Sequence, residues 1–155
     1  MIVHDVGDAR FNFRVAGVAY RDDRVLLQRV AGLDFWFLPG GRVEMLEPAA
    51  QALSREIHEE LGVVPRLERL LWIVENFFVL DGRRYHELGL YFAIALPPTL
   101  PTEGEFDAHD PYQRLIMRWV PLSEVERLAV QPAFLRTTLG APPPVPQHIV
   151  HYDAC

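Results

Sequence analysis

Between Pro39 and Gly62 the sequence permits very few conformations. Pro39-Gly40-Gly41 forces a sharp change of chain direction. Pro48, suited to a first helical position, then opens a helical pattern in which Leu53, Ile57 and Leu61 recur every fourth residue, and Gly62 supplies the stop. At about 100° per residue, Glu56, Glu59 and Glu60 share the face next to that apolar row. A helix that must bury Leu53 and Ile57 therefore carries three carboxylates along the edge of the core.

Like charges this close repel, and the i,i+4 pair Glu56 and Glu60 weakens an isolated helix by a few tenths of a kcal/mol, about 0.3. A hard divalent cation offsets that repulsion, since Mg²⁺ and Mn²⁺ favour oxygen ligands and accept phosphate in the same shell. Arg55 is spaced to pair with Glu59 at i,i+4 or to reach back to Glu47, holding a carboxylate in place.

Composition narrows the chemistry from the other side. All 15 basic residues among the 155 are arginine, the serines are only Ser54 and Ser123, and the single cysteine is Cys155. Schiff-base, P-loop-lysine and Ser-Lys chemistry are thereby excluded, as is a disulfide framework, and a lone terminal thiol is a poor nucleophile. Carboxylates, histidines, arginines or a metal must do any catalysis. The net charge of -6 disfavours a broad nucleic-acid footprint. The N-terminus lacks a signal-peptide layout, and the apolar stretch Leu70 to Leu80 is too short to span a bilayer, so a cytoplasmic protein is expected.

Along the chain, Arg14 to Tyr20 and Val25 to Arg29 read as a hairpin turned at Asp22-Asp23. Arg66 to Leu80 and Arg84 to Leu96 read as a second hairpin, turned at Asp81-Gly82. Pro97 to Pro111, rich in proline and acids, reads as a long loop. A strand over Arg114 to Val120 follows, then a short helix capped by Ser123 and running to about Leu128, and another after Pro132. One domain over residues 1–140 and a Pro-rich tail over 141–155, with a small strand at His148 to Tyr152, complete the reading. The expected fold class is α/β, a mixed sheet covered by helices.

Gly41, Glu47 and the run Arg55-Glu56-Ile57-His58-Glu59-Glu60-Leu61-Gly62-Val63 resemble the Nudix box, with every fixed Gly, Glu and Arg in place. The resemblance covers 23 residues and implies the Nudix α/β/α sandwich around a mixed β-sheet. It implies that Glu56, Glu59 and Glu60 bind metal, that one of them orients or deprotonates water, and that the Gly40 carbonyl is a further ligand. Glu47 and Arg55, with Gly41 and Gly62, would hold the loop and helix in place. The implied reaction is hydrolysis of a nucleoside diphosphate linked to another moiety, with Mg²⁺, for which Mn²⁺ can substitute. Arg42, beside the glycine turn, is a candidate phosphate contact.

The resemblance also implies a further acid outside the box, for which Glu75, Glu87, Glu103, Glu105, Asp107 and Asp110 are candidates. Phe35, Trp36, Phe77, Phe78, Tyr85 and Tyr91 could stack on a base, with one or two of them expected to do so. His58, His148 and His151 are expected to stand apart from catalysis. Phe78-Val79 stands where the ADP-ribose group carries a proline, and Leu80-Asp81 where the dinucleoside-polyphosphate group carries a tyrosine. That leaves nucleoside triphosphates, including oxidised ones, or nucleotide sugars. The alternatives are a nucleotide- or metabolite-sensing module without turnover, and an RNA pyrophosphohydrolase. A homodimer follows from family habit.

Overall fold

The structure, a computed structural model, describes residues 1–153; Cys155, set aside above as a nucleophile, lies outside them. The strands are β1 (Val3–Val6), β2 (Ala9–Arg21), β3 (Arg24–Val30), β4 (Gly40–Arg42), β5 (Arg66–Leu80), β6 (Arg83–Ala95), β7 (Glu105–Ala108), β8 (Leu115–Pro121) and β9 (Gln147–Tyr152). The helices are α1 (Ala49–Leu61), α2 (Leu122–Val125) and α3 (Leu135–Thr138). The strand order is β7-β8-β3-β2-β6-β5-β9, with β1 and β4 also paired to β2. β2–β6 and β5–β9 are parallel and the other pairs antiparallel, so the sheet is mixed as expected.

The period of β2 shows how the layers form. Val15 and Ala19 point toward α1 and join Leu53, Ile57, Met117 and Trp119 in one buried cluster. Ala16 and Val18 point the other way and join Trp72, Tyr91, Val125 and Leu135, beneath α2 and α3. Alternation with a period of two thus builds a core on each face, which is the expected α/β/α sandwich. Among the described residues no helix is long and apolar enough to cross a membrane.

Several boundaries differ from the sequence reading. Pro48 is the cap of α1 and not its first residue: its ψ is 143°, and its carbonyl accepts from Ala52 at 3.0 Å. Ser123 makes no cap hydrogen bond, because α2 starts at Leu122, whose amide donates to the Asp23 carbonyl in the β2–β3 turn at 2.8 Å. The segment read as a loop contains β7, where Phe106 and Ala108 face the core while Glu105 and Asp107 face outward. β1 was also unforeseen, and β2 begins at Ala9, extended by its parallel pairing with β6 from Ala9↔Arg84 onward. The small strand expected at His148 to Tyr152 is β9, which begins one residue earlier at Gln147 and adds to the sheet beside β5.

Candidate active site

The turn before α1 is built by contact between backbones. A Cβ on Gly40 would lie 2.0 Å from the Val15 carbonyl oxygen, so only glycine lets β4 lie against β2 here. A Cβ on Gly41 would lie 2.2 Å from the carboxyl carbon of Glu56, so this glycine is the floor on which that carboxylate rests. Gly17 donates to Pro39 and Val43 donates to Phe13, which puts the β2–β4 ladder bonds on alternate residues and turns the Gly40 carbonyl away from β2. At the far end of α1, Gly62 takes φ 70° and donates to the His58 carbonyl, closing the helix.

Arg55 organises the acids. Its Nε and Nη2 donate to the two oxygens of Glu47, Nη1 donates to Glu56 at 2.9 Å, and Nη2 also reaches the Arg42 carbonyl at 3.2 Å. Glu59 lies 3.5 Å from the same Nη1 and is 56% exposed. Both pairings anticipated for Arg55 are present, and Glu56 is added to them. The guanidinium holds Glu47 at about 2, far below an ordinary carboxylate.

Glu56 and Glu60 line a cleft of about 380 Å³ together with Gly40, Gly41, Arg42 and Asp110. Burial, reinforced by the charges of Glu56 and Asp110, pushes Glu60 up to about 8, and burial also raises Glu56. Glu60 Oε2 is buried with no hydrogen-bond partner. Asp110 arrives because the His109 amide donates to the Glu60 carbonyl at 2.8 Å, tying the loop after β7 to the end of α1. Glu59 does not line this cleft.

These residues suit a hard divalent cation. Glu60 presents a buried, unpartnered oxygen beside a second carboxylate, and a cation would satisfy both. Among the described residues no three His, Cys, Asp or Glu side chains are grouped so as to hold a metal ion by themselves. An open site of one or two carboxylates that leaves room for phosphate is the pattern Mg²⁺ favours.

A second cleft of about 340 Å³ adjoins the first and shares Arg14 and Phe37 with it. Its walls include Phe35, Phe78 and Tyr91, three of the six aromatics singled out from the sequence. Trp36 is instead buried in the core with the Arg29 guanidinium 5.4 Å from its ring centroid, Phe77 stacks on Tyr152 at 4.8 Å, and Tyr85 stacks on Phe78.

Of the six outside acids, Asp110 enters the carboxylate cleft and Glu87 the aromatic one. The other four are engaged elsewhere: Glu75 with His148 at 2.7 Å, Glu103 with Arg24 at 3.5 Å, Glu105 with Arg29 at 3.4 Å and Asp107 with Arg114 at 3.1 Å. His58 is exposed.

The sequence reading missed Arg14 as a site residue. Arg14 and Arg42 are direct partners in the β2–β4 ladder, so their side chains leave the same face and both line the carboxylate cleft. Arg14 donates to the Leu38 carbonyl at 2.9 Å and lies 5.8 Å from the Phe37 ring centroid. Its one sequence signal was a charge at the head of an otherwise apolar strand.

Comparison with known proteins gives a consistent picture. A NUDIX domain model matches residues 11–138. The MutT4 protein of Mycobacterium tuberculosis is 31% identical over 129 residues, which are 83% of this chain and 47% of that protein. Diphosphoinositol polyphosphate phosphohydrolase 2 of Rattus norvegicus is 43% identical over 70 residues, covering 43% of this chain and 39% of that protein. The aligned part of this chain thus spans less than half the length of these curated relatives. The solution structure of the E. coli ORF135 protein superimposes with a TM-score of 0.54 at 27% identity, over 85% of this chain and 89% of that one.

Proposed function

The chain belongs to the NUDIX family, and from that premise we propose that it is a metal-dependent hydrolase of a nucleoside diphosphate linked to another moiety. The substrate would be a nucleoside triphosphate, including an oxidised one, or a nucleotide sugar. The observation that carries this reading is the buried, unpartnered Glu60 oxygen beside Glu56, in a cleft that also holds two arginines. It is an acidic site able to hold a cation, next to cationic groups able to hold phosphate.

Glu56, Glu60 and the Gly40 carbonyl would hold Mg²⁺, or Mn²⁺ in its place, with Glu59 completing the carboxylate set from the rim. When bound, the cation supplies charge neutralisation for the diphosphate and activation of water. The protein's own residues supply position. Arg14 and Arg42 clamp phosphate oxygens with paired guanidiniums. Glu60, pushed up to about 8 by burial, would give up its proton on holding a cation. Glu47 and Arg55 fix α1 against the glycine turn, and the aromatic cleft holds the base, so that the diphosphate lies across the Arg14 wall. Such positioning and charge compensation are what phosphoryl transfer chiefly requires.

The test is release of phosphate or pyrophosphate from a panel of nucleoside triphosphates and nucleotide sugars with Mg²⁺ or Mn²⁺. Turnover of at least one substrate, abolished by Glu60→Gln, is expected. No turnover on any substrate, with tight nucleotide binding by calorimetry, would replace the hydrolase by the sensing module. The same preparations, sedimented at several concentrations, test the proposed homodimer.

A further inference from the structure

The aromatic cleft contains polar side chains that hydrolysis does not use. Two of them, Asn76 and Glu87, stand in a row across neighbouring strands with Asn12, which does not itself line the cleft. Glu87 on β6 is the direct ladder partner of Asn12 on β2 and of Asn76 on β5. Asn12 donates from Nδ2 to Glu87 Oε2 at 2.8 Å, which fixes the carboxylate from one side. Only the nitrogen end of that amide can donate, so Asn12 Oδ1 is left without a partner at a residue 2% exposed. Asn76 is 5% exposed, lines the cleft, and its Oδ1 also has no partner.

A third buried acceptor without a partner, Gln131 Oε1, enters the same cleft from the segment after α2. Its place is set by backbone bonds, since the Gln131 amide donates to the Trp36 carbonyl and the Trp36 amide to the Ala129 carbonyl, both at 2.8 Å. Asp153, which bonds His151 at 2.7 Å, is a further acceptor on the wall. Among the described residues the one cation lining the cleft is Arg14, and it stands at the boundary with the carboxylate cleft.

Buried acceptors seldom remain unpaired in a folded chain, and a ligand that donates hydrogen bonds would satisfy Asn76 Oδ1 and Gln131 Oε1, the two that line the cleft. We propose that Asn76, Glu87 and Gln131 select the nucleobase, preferring a base whose edge carries an exocyclic amine over the matched base that lacks it. The proposal rests on the nucleotide reading given above. An amine donates to these oxygens. A carbonyl in its place, as in uracil, sets acceptor against acceptor, and a hydrogen in its place, as in hypoxanthine, leaves the protein groups unpaired, which is how a polar site rejects an analogue. The same charge layout orients the ligand, because phosphate is repelled by Glu87 and drawn to Arg14.

Nucleoside monophosphates test this without turnover, since they have no diphosphate to cleave. Calorimetric titration is expected to show GMP binding about tenfold tighter than IMP, and CMP about tenfold tighter than UMP, the size of one hydrogen bond to a charged acceptor. Glu87→Gln, which preserves shape, and Asn76→Ser should reduce both ratios to below about threefold at an unchanged melting temperature. Equal affinity within each wild-type pair, no binding of any of the four, or ratios unchanged in folded variants would overturn the proposal. The triphosphates of the same bases, assayed with Mg²⁺, separate the two readings. Selective binding without cleavage removes the hydrolase reading and leaves base selection standing, whereas cleavage with unselective binding does the reverse.

Discussion

Arg55 and Glu47 meet fork to fork, with Nε to Oε2 at 2.8 Å and Nη2 to Oε1 at 2.9 Å. The pair joins the middle of α1 to the loop that precedes it, and Glu47 also accepts from the Glu44 amide at 3.1 Å. A single ammonium cannot reproduce a bidentate contact that also reaches Glu56 and the Arg42 carbonyl. Arg55→Lys is therefore expected to lower stability by about 2 kcal/mol in urea unfolding. It should also lower turnover by about 10²-fold through displacement of α1, even though Arg55 does not line either cleft.

Gly40 and Gly41 adjoin each other but predict different failures. The obstacle to a Cβ at Gly40 is the Val15 backbone, which cannot yield without breaking the β2–β4 ladder. Gly40→Ala should cost about 3 kcal/mol of stability. The obstacle at Gly41 is the carboxylate end of the Glu56 side chain, not backbone. Gly41→Ala should leave the melting temperature near that of wild type while weakening Mg²⁺ binding, measured by calorimetry.

Two carboxylates confine the chain's pH dependence to separate windows. Glu47 is held at about 2 against an ordinary 4.5, so its contribution is present above 4.5 and is lost as pH falls toward 2. Glu60 is raised to about 8, so the folded chain binds its proton more tightly than the unfolded chain does. Stability should therefore fall as pH rises from 4.5 through about 8, where Glu60 must ionise beside Glu56 and Asp110. Calorimetric melting across that range should show the decline in chelator, its removal by millimolar Mg²⁺, and its reduction in Glu60→Gln, where Glu56 is still raised by burial.

Cation binding and turnover can be read on the same variants. Saturation at about 100 times the dissociation constant should stabilise wild type by about 2.7 kcal/mol. Glu60→Gln and Glu56→Gln should lose most of that gain and about 10³-fold in kcat. Glu59→Gln, altered at the exposed rim, should lose activity while keeping most of the thermal gain.

β9 predicts a structural role for the C-terminal segment. Six residues pair with β5, His148 meets Glu75 at 2.7 Å, and Tyr152 stacks on Phe77. A chain ended at Gly140 would lose these contacts and expose the β5 edge to association. Its melting temperature should fall by about 5–10 °C, with larger species on gel filtration.

The parts of this site legible in the sequence are those made by local chain. The spacing of Leu53, Ile57 and Leu61 placed α1, and the glutamates beside them fell where helical geometry puts them. Asn12 and Asn76 escaped notice because only sheet order joins them to Glu87, which the sequence could name as one acid among six. Nothing in the spacing of Asn12, Asn76 and Glu87 announces that β6 runs parallel to β2 and antiparallel to β5, which is what sets the three in one row. Asp110 could be named as one acid among six, but its place beside Glu60 depends on a backbone bond from His109. β7 was concealed because Glu105 and Asp107 gave an acidic cast to a strand whose inward residues are Phe106 and Ala108.

Arg14 and Phe37 form the wall common to both clefts, which otherwise draw on separable stretches of chain. The carboxylate cleft is furnished largely by the glycine turn and α1. The aromatic cleft is furnished largely by β5, β6 and the segment after α2. Substitutions in one set need not touch the other, so on the proposed function base preference could change while the residues proposed to hold the cation stay fixed. A change at either shared residue would have no such freedom, because it would alter both clefts at once.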